Sequence, residues 1–177
     1  MGRGPIADDT NCMDSTDRKK NMSTTLKLSL GAHAAQLHDA QTGALVAQIE
    51  IGHEAMASRF FTRSPLDAGA LERAIDWTED RIQAARAAIP AGAQLFTHAE
   101  DVRVLAQAAG MDGGQALLHV DAVEQLFSRL VLQAFGQSPH QQDLPDSPRV
   151  FVTVVFLREL LQHLGFAHIR VEAQEDA

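Results

Sequence analysis

Leu26, Leu28 and Leu30 alternate with polar neighbours, and the same period of two returns at Leu45, Ala47, Ile49 and Ile51. Successive side chains of a strand point to opposite faces, so both segments predict strands buried on one side. Ala34 to His38 predicts a middle strand, with Asp39 to Gly43 as turn residues, and the three together predict an antiparallel meander. A loop through Phe60 and Phe61 is expected next. Ser64 and Pro65 then offer an N-cap followed by a proline in the first helical turn, where its missing N–H costs nothing. The helix they open is expected to run to about Ala88. Leu71, Ala74, Ile75, Ile82, Ala85 and Ile89 form its buried stripe, while Glu72, Arg73, Asp76, Glu79 and Asp80 form its solvated face. Trp77 lies on the flank near Arg73 and Arg81, as a packing residue or a partner contact.

Pro90 and Gly92 end that helix, and Gln94 to Thr97 predicts a short strand. Thr97 with Glu100, and later Asp121 with Glu124, have the spacing of capping boxes for two further helices, closed by Gly110 and Gly136. Asp112, Gly113 and Gly114 between them predict a plain turn, and Gln137 to Asp146 a polar loop. Ser147 and Pro148 start the most apolar helix, with Phe151, Val154, Val155, Leu157, Leu161 and Leu164, which Gly165 terminates. Ala167, Ile169 and Val171 predict a final strand, parallel to the first through a helical crossover. The fold class is therefore α/β, with a mixed five-stranded sheet, a leading meander and flanking helices.

Composition narrows the function classes. A chain of 177 residues with 45% apolar and 21% charged residues suits one globular domain, expected over residues 25–172. Residues 1–24 are expected to be a disordered tail, native or vector-derived, and 173–177 a short C-terminal tail; the first lacks the apolar stretch of a secretory signal. No apolar run reaches the roughly 18 residues of a bilayer span, so no membrane association and a cytoplasmic location are expected. A net charge of −8 with only 15 Lys and Arg argues against nucleic acid as a partner. Cys12 is the single cysteine, which excludes an internal disulfide and a cysteine metal site.

The first strand runs from Leu26 to Leu30 into Gly31, Ala32, His33 and Ala34, followed by Gln36 and Leu37. The third ends in Gln48, Ile49, Glu50, Ile51 and Gly52, with Arg59, Phe60 and Phe61 after it; Thr97 to Asp101 precede Leu105 and Ala106; and Pro148 and Arg149 open a helix ending at Leu164, Gly165 and Phe166. In this order and these motifs the chain resembles the second domain of the exopolyphosphatase and guanosine-pentaphosphate phosphatase family. The resemblance implies an actin-like, ribonuclease H-like half-domain. It also implies that the turn at Gly31 descends from an acid-x-Gly-Gly-Gly-Ser phosphate loop, and that Thr97 to Asp101 occupy the place of the family's second glycine-threonine turn. The ligand-binding candidates carried over are Gly31, His33, Gly52, Thr97, His98 and Arg149.

The departures fall where the chemistry is expected. Ser29 stands at the acid position, Gly31 alone remains of three glycines, and Glu100 and Asp101 would set negative charge against a phosphate. The family's first domain, which carries its catalytic acid, is not expected in the residues before the first strand, nor a further helix after the last. Eight histidines raise a metal site, with His33 and His98 as the candidates and His53, Glu54, Glu100 and Asp101 nearby, although no HExxH-type spacing supports one. His163 and His168 are expected to be ordinary boundary residues. No catalytic residue and no cofactor follows. The expected function is that of a non-catalytic relative, a regulatory or protein-interaction domain binding a partner protein or a second copy of itself. The alternative is a phosphatase-like, phosphoric-anhydride-hydrolysing or phosphometabolite-binding protein that uses altered turns at Gly31 and His98.

Overall fold

The computed structural model describes residues 24–62, 67–111, 115–137 and 144–173. The proposed tails with Cys12, the Ser64–Pro65 cap, the turn at Asp112 to Gly114 and most of the loop after Gln137 lie outside these residues. The chain folds in the order β1 (Thr25–Leu30), β2 (Ala35–Asp39), β3 (Leu45–Ile49), α1 (His53–Phe60), α2 (Ala68–Ala85), β4 (Gln94–Thr97), α3 (Glu100–Ala108), β5 (Gln115–His119), α4 (Val120–Ala134), α5 (Pro148–Leu164) and β6 (His168–Glu172).

The sheet order is β3-β2-β1-β4-β6-β5. The meander is antiparallel, β4 runs parallel to β1, and β6 runs parallel to β4. The last strand thus has the direction of the first but is separated from it by β4. The sheet has six strands, not five: β5 pairs antiparallel with β6 as a second edge. Its sequence, QALLH, carries no alternation of apolar and polar residues, and pairing to β6 makes it a strand.

Several helical expectations also change. His53–Phe60, expected as loop, is the helix α1, and α2 is capped at Asp67, whose side chain accepts from the Gly69 N–H at 3.1 Å. Thr97 and Asp121 are not N-caps; those positions fall to Ala99 and His119. Trp77 is half-buried, with its ring edge-on to Phe60 at 5.7 Å and the Arg81 guanidinium 3.8 Å above its centroid.

Helix α5 is the centre of the packing, touched by α1, α2, α3 and α4. Every residue from Val150 to Leu157 is buried. A run of Val and Thr has low intrinsic helix propensity, so burial of its side chains decides the conformation. Pro148 opens the helix, and Gly165 at φ 77° closes it in the left-handed region. One face of the sheet supplies Leu26, Leu28, Leu37, Ile49, Leu95 and Ile169 to the same core.

Among the described residues, the other face is not packed into the core. A row across the six strands reads Leu45, His38, Lys27, Phe96, Arg170, Leu117, and none of these residues is buried. Contacts on this face run among its own residues: Arg170 lies 5.6 Å over Phe96, Phe96 meets His98 at 5.5 Å, and His119 meets His168 at 5.4 Å. Among the described residues, no helix is long and apolar enough to cross a membrane.

Candidate functional site

The ends of the parallel strands β1 and β4, the start of α1 and the start of α5 converge at one end of the sheet, where ligands of open α/β sheets bind. All six sequence-derived candidates belong to these segments, and hydrogen bonds tie the segments together. The β1–β2 turn is tight, with the Gly31 N–H donating to Ala34 O at 3.0 Å. Its carbonyls point at α1: Gly31 O accepts from His53 N at 3.1 Å, and Ala32 O accepts from Glu54 N at 2.9 Å. The first N–H groups of a helix have no partner inside it, and α1 has no side-chain cap, so this turn is its cap.

Gly52 makes that contact sterically feasible. A Cβ on it would lie 2.3 Å from both Ala32 O and His33 N. Its backbone is extended, with φ −138°, so it is space and not dihedral freedom that demands glycine here. No residue of the Gly31–Ala34 turn has positive φ. A left-handed residue is a common means of aiming successive N–H groups at an anion, and this turn has none.

On the neighbouring turn, Thr97 is fully buried; its hydroxyl donates to Leu28 O at 2.9 Å and accepts from Ala99 N at 3.0 Å. His98 faces β6, with Nδ1 3.3 Å from Ala173 O and Nε2 3.8 Å from Glu172 Oε2. His33 is exposed. Neither histidine belongs to a cluster of three or more metal-ligating side chains among the described residues. Glu100 is occupied by Arg103, with Arg103 Nε donating to its Oε2 at 2.8 Å.

The side chains that do meet are His53, Asp101 and Arg149. Arg149 grips Asp101 with both arms, Nε to Oδ1 at 3.1 Å and Nη2 to Oδ2 at 2.9 Å. His53 is 5% exposed and brings Nε2 to 2.9 Å from Asp101 Oδ2. The approach is out of line for a hydrogen bond, and that nitrogen is buried without a hydrogen-bond partner among the described residues. Burial pushes the His53 pKa below its ordinary value; Arg149 adds to the shift, while Asp101 and then Glu54 oppose it. Hydrogen bonds from Arg149 to Asp101 and their opposite charges raise the guanidinium pKa further.

The sequence had singled out Arg149 for its place at the start of a helix and Asp101 as a charge hostile to phosphate. Their union neutralises both. His53 was only a neighbour of the metal candidates, and its signal was a lone histidine directly after Gly52 at the end of an apolar strand pattern. As a chemical device the group holds an imidazole whose neutral form is favoured by burial, beside a carboxylate paired with Arg149. The Arg149 side chain is 61% exposed at its rim.

No family model matches the chain, and no curated protein matches it in sequence. Solved structures do match. A Ppx/GppA phosphatase of Aquifex aeolicus, in its type II variant crystal structure, aligns with TM-score 0.63 at 10% identity over 88% of this chain and 55% of that one. A second structure of the Aquifex aeolicus PPX-GPPA enzyme gives 0.65 at 11% identity, over 87% and 55% of the two chains. An exopolyphosphatase of Cytophaga hutchinsonii gives 0.63 at 16% identity, over 86% and 54%. The chain spans about half the length of these structures. By this likeness and its own topology, the chain has the actin-like, ribonuclease H-like half-domain fold found in Ppx/GppA phosphatase structures.

Proposed function

We propose that this chain is a non-catalytic relative of the exopolyphosphatase-type phosphatases and works as a regulatory domain by binding a partner protein. The observation that carries the proposal is the β1–β2 turn, which gives its carbonyls to α1 and contains no residue of positive φ. The α1 N–H groups that could hold a polyanion are already donated to the turn's carbonyls, and the cation beside it, Arg149, is neutralised by Asp101. Phosphoryl transfer relies on positioning and on electrostatic stabilisation of the transferred group, and neither is supplied by these residues.

The sheet face outside the core is the surface such a domain offers. Phe96 lies at its centre between Lys27 and Arg170, two cations in a chain of net charge −8. A protein surface with an apolar centre and acidic rim complements it. The first protein to test is a second copy of the chain, by sedimentation of wild type and Phe96→Glu over a range of concentrations. Association lost on substitution assigns the face to self-pairing, and a monomer at all concentrations leaves it to a different protein.

Thermal denaturation in the presence of inorganic phosphate, polyphosphate and purine nucleotides tests the proposal against phosphate binding. A ligand at 100 times its dissociation constant would stabilise by about 2.7 kcal/mol, a rise of roughly 5 to 10 °C for a chain of this size. We expect no rise and no phosphate release. A rise that Arg149→Gln abolishes would establish the ligand-binding alternative at Gly31 and His98 in its place.

A further inference from the structure

Polar side chains also converge at the opposite end of α5, about 21 Å along the helix from Arg149. There Glu79 of α2 meets Glu159 and His163 of α5. Each of the three offers one ligand atom, and these atoms lie within 4.8 Å of one another. His163 Nε2 is 3.0 Å from Glu159 Oε2 and 3.8 Å from Glu79 Oε1. Glu159 and His163 stand one helical turn apart, so both project from one face of α5 toward α2.

Those separations suit a small ion. Oxygen and nitrogen ligands about 2.0 to 2.2 Å from a tetrahedral zinc are roughly 3.3 to 3.5 Å apart, a value that the two measured distances bracket. Burial is graded across the group. The Glu159 side chain is 2% exposed, His163 25% and Glu79 40%, which gives a buried floor with access from solvent.

The carboxylates are held by outer partners. Arg158 takes the other oxygen of Glu159, Oε1, and leaves Oε2 facing the imidazole. Gln83 Nε2 donates to Glu79 Oε1 at 2.7 Å, and Arg86 Nη1 fixes the end of α5 by donating to the His163 carbonyl at 2.8 Å. Arg158 is itself anchored by Glu124 at 3.0 Å and lies 4.4 Å over the Phe127 ring. Outer contacts of this kind orient ligands and sustain metal affinity. Glu79, Glu124 and Glu159 bring three carboxylates to the group against the two guanidiniums of Arg158 and Arg86.

We propose that Glu79, Glu159 and His163 bind a divalent transition cation, zinc foremost, which clasps α2 to α5 and keeps its fourth position for water. One imidazole nitrogen with two carboxylate oxygens favours zinc over magnesium or calcium, which take oxygen ligands. The site is independent of the sheet end and of the function proposed there.

Calorimetric titration of tag-free protein with zinc chloride near neutral pH tests this. Wild type is expected to take up one equivalent. His163→Ala and Glu79→Gln each weaken binding by about tenfold or more, and His33→Ala and His98→Ala leave it unchanged. Glu79 and His163 are partly exposed, so their variants are expected to fold, which circular dichroism checks; Glu159 is left intact. Zinc raises the melting temperature of wild type and not of the two ligand variants. No uptake, or uptake that survives both ligand substitutions, overturns the site and leaves Glu159 and His163 as a hydrogen-bonded pair. Uptake abolished instead by His119→Ala or His168→Ala overturns it too, and moves the ion to the sheet face outside the core.

Discussion

Substitution of Gly52 by alanine strikes the contact on which the candidate site is built. The added methyl would lie 2.3 Å from Ala32 O, 2.3 Å from His33 N and 2.4 Å from Ala32 C, all backbone atoms that have no side-chain freedom to retreat. Relief requires α1 to lift from the β1–β2 turn. That movement stretches the bonds from His53 N to Gly31 O and from Glu54 N to Ala32 O. Their net worth is about 1 kcal/mol each, and overpacking of this kind adds about 1 to 3 kcal/mol. A destabilisation of roughly 3 to 5 kcal/mol follows, equivalent to about 6 to 20 °C in melting temperature for a domain of this size. Urea denaturation followed by far-UV circular dichroism reads it as a lower midpoint with unchanged slope. Gly69→Ala is the control: it lies in the first turn of α2, and its Cβ would meet the flexible Arg73 guanidinium at 3.3 Å. Alanine there is expected to be neutral or to stabilise by up to about 1 kcal/mol. If Gly52→Ala stays within about 0.5 kcal/mol of wild type, the range of an ordinary surface substitution, α1 does not rest on that turn and the reasoning fails.

Two further outcomes are expected. His53 has a folded-state pKa below its unfolded value, so below about pH 6.5 the unfolded chain binds more protons than the folded one and stability falls as pH drops. Denaturation midpoints for wild type and His53→Gln across that range measure it: a slope persisting unchanged in the variant assigns the effect elsewhere. Phe156→Ala removes a fully buried ring at the centre of α5 and is expected to cost about 3 to 5 kcal/mol in urea denaturation; a loss under about 1 kcal/mol would place α5 outside the core.

The strands of the meander were legible because their signal is local. Leu26 and Leu28, or Ala47 and Ile49, declare a buried face through a period of two, and the structure buries that face, but Leu45, expected on it, is carried to the other face by a register shift beside His38 and is 52% exposed. Gly165 and Pro148 marked the ends of α5 in the same way, through their own backbone preferences. The α1 segment gave no such signal. Eight residues are too few to be helical alone, and its cap comes from carbonyls some 20 residues earlier in the chain. Strand β5 is likewise made by its partner, since its pairing to β6 joins residues on either side of two helices.

The candidate site divides along the same line. Sequence alone determined which segments reach the end of the sheet, because strand and helix order fix where β1, β4 and α5 begin and end. It also determined that the turn after β1 carries a single glycine, Gly31, since that is a matter of residue identity. Only the tertiary structure decided that Arg149 and Asp101, 48 residues apart, neutralise one another, that His53 is buried beside them, and that Gly52 serves the packing of α1 on its turn. Contacts of that kind depend on which elements are brought together in space, and no spacing along the chain encodes them.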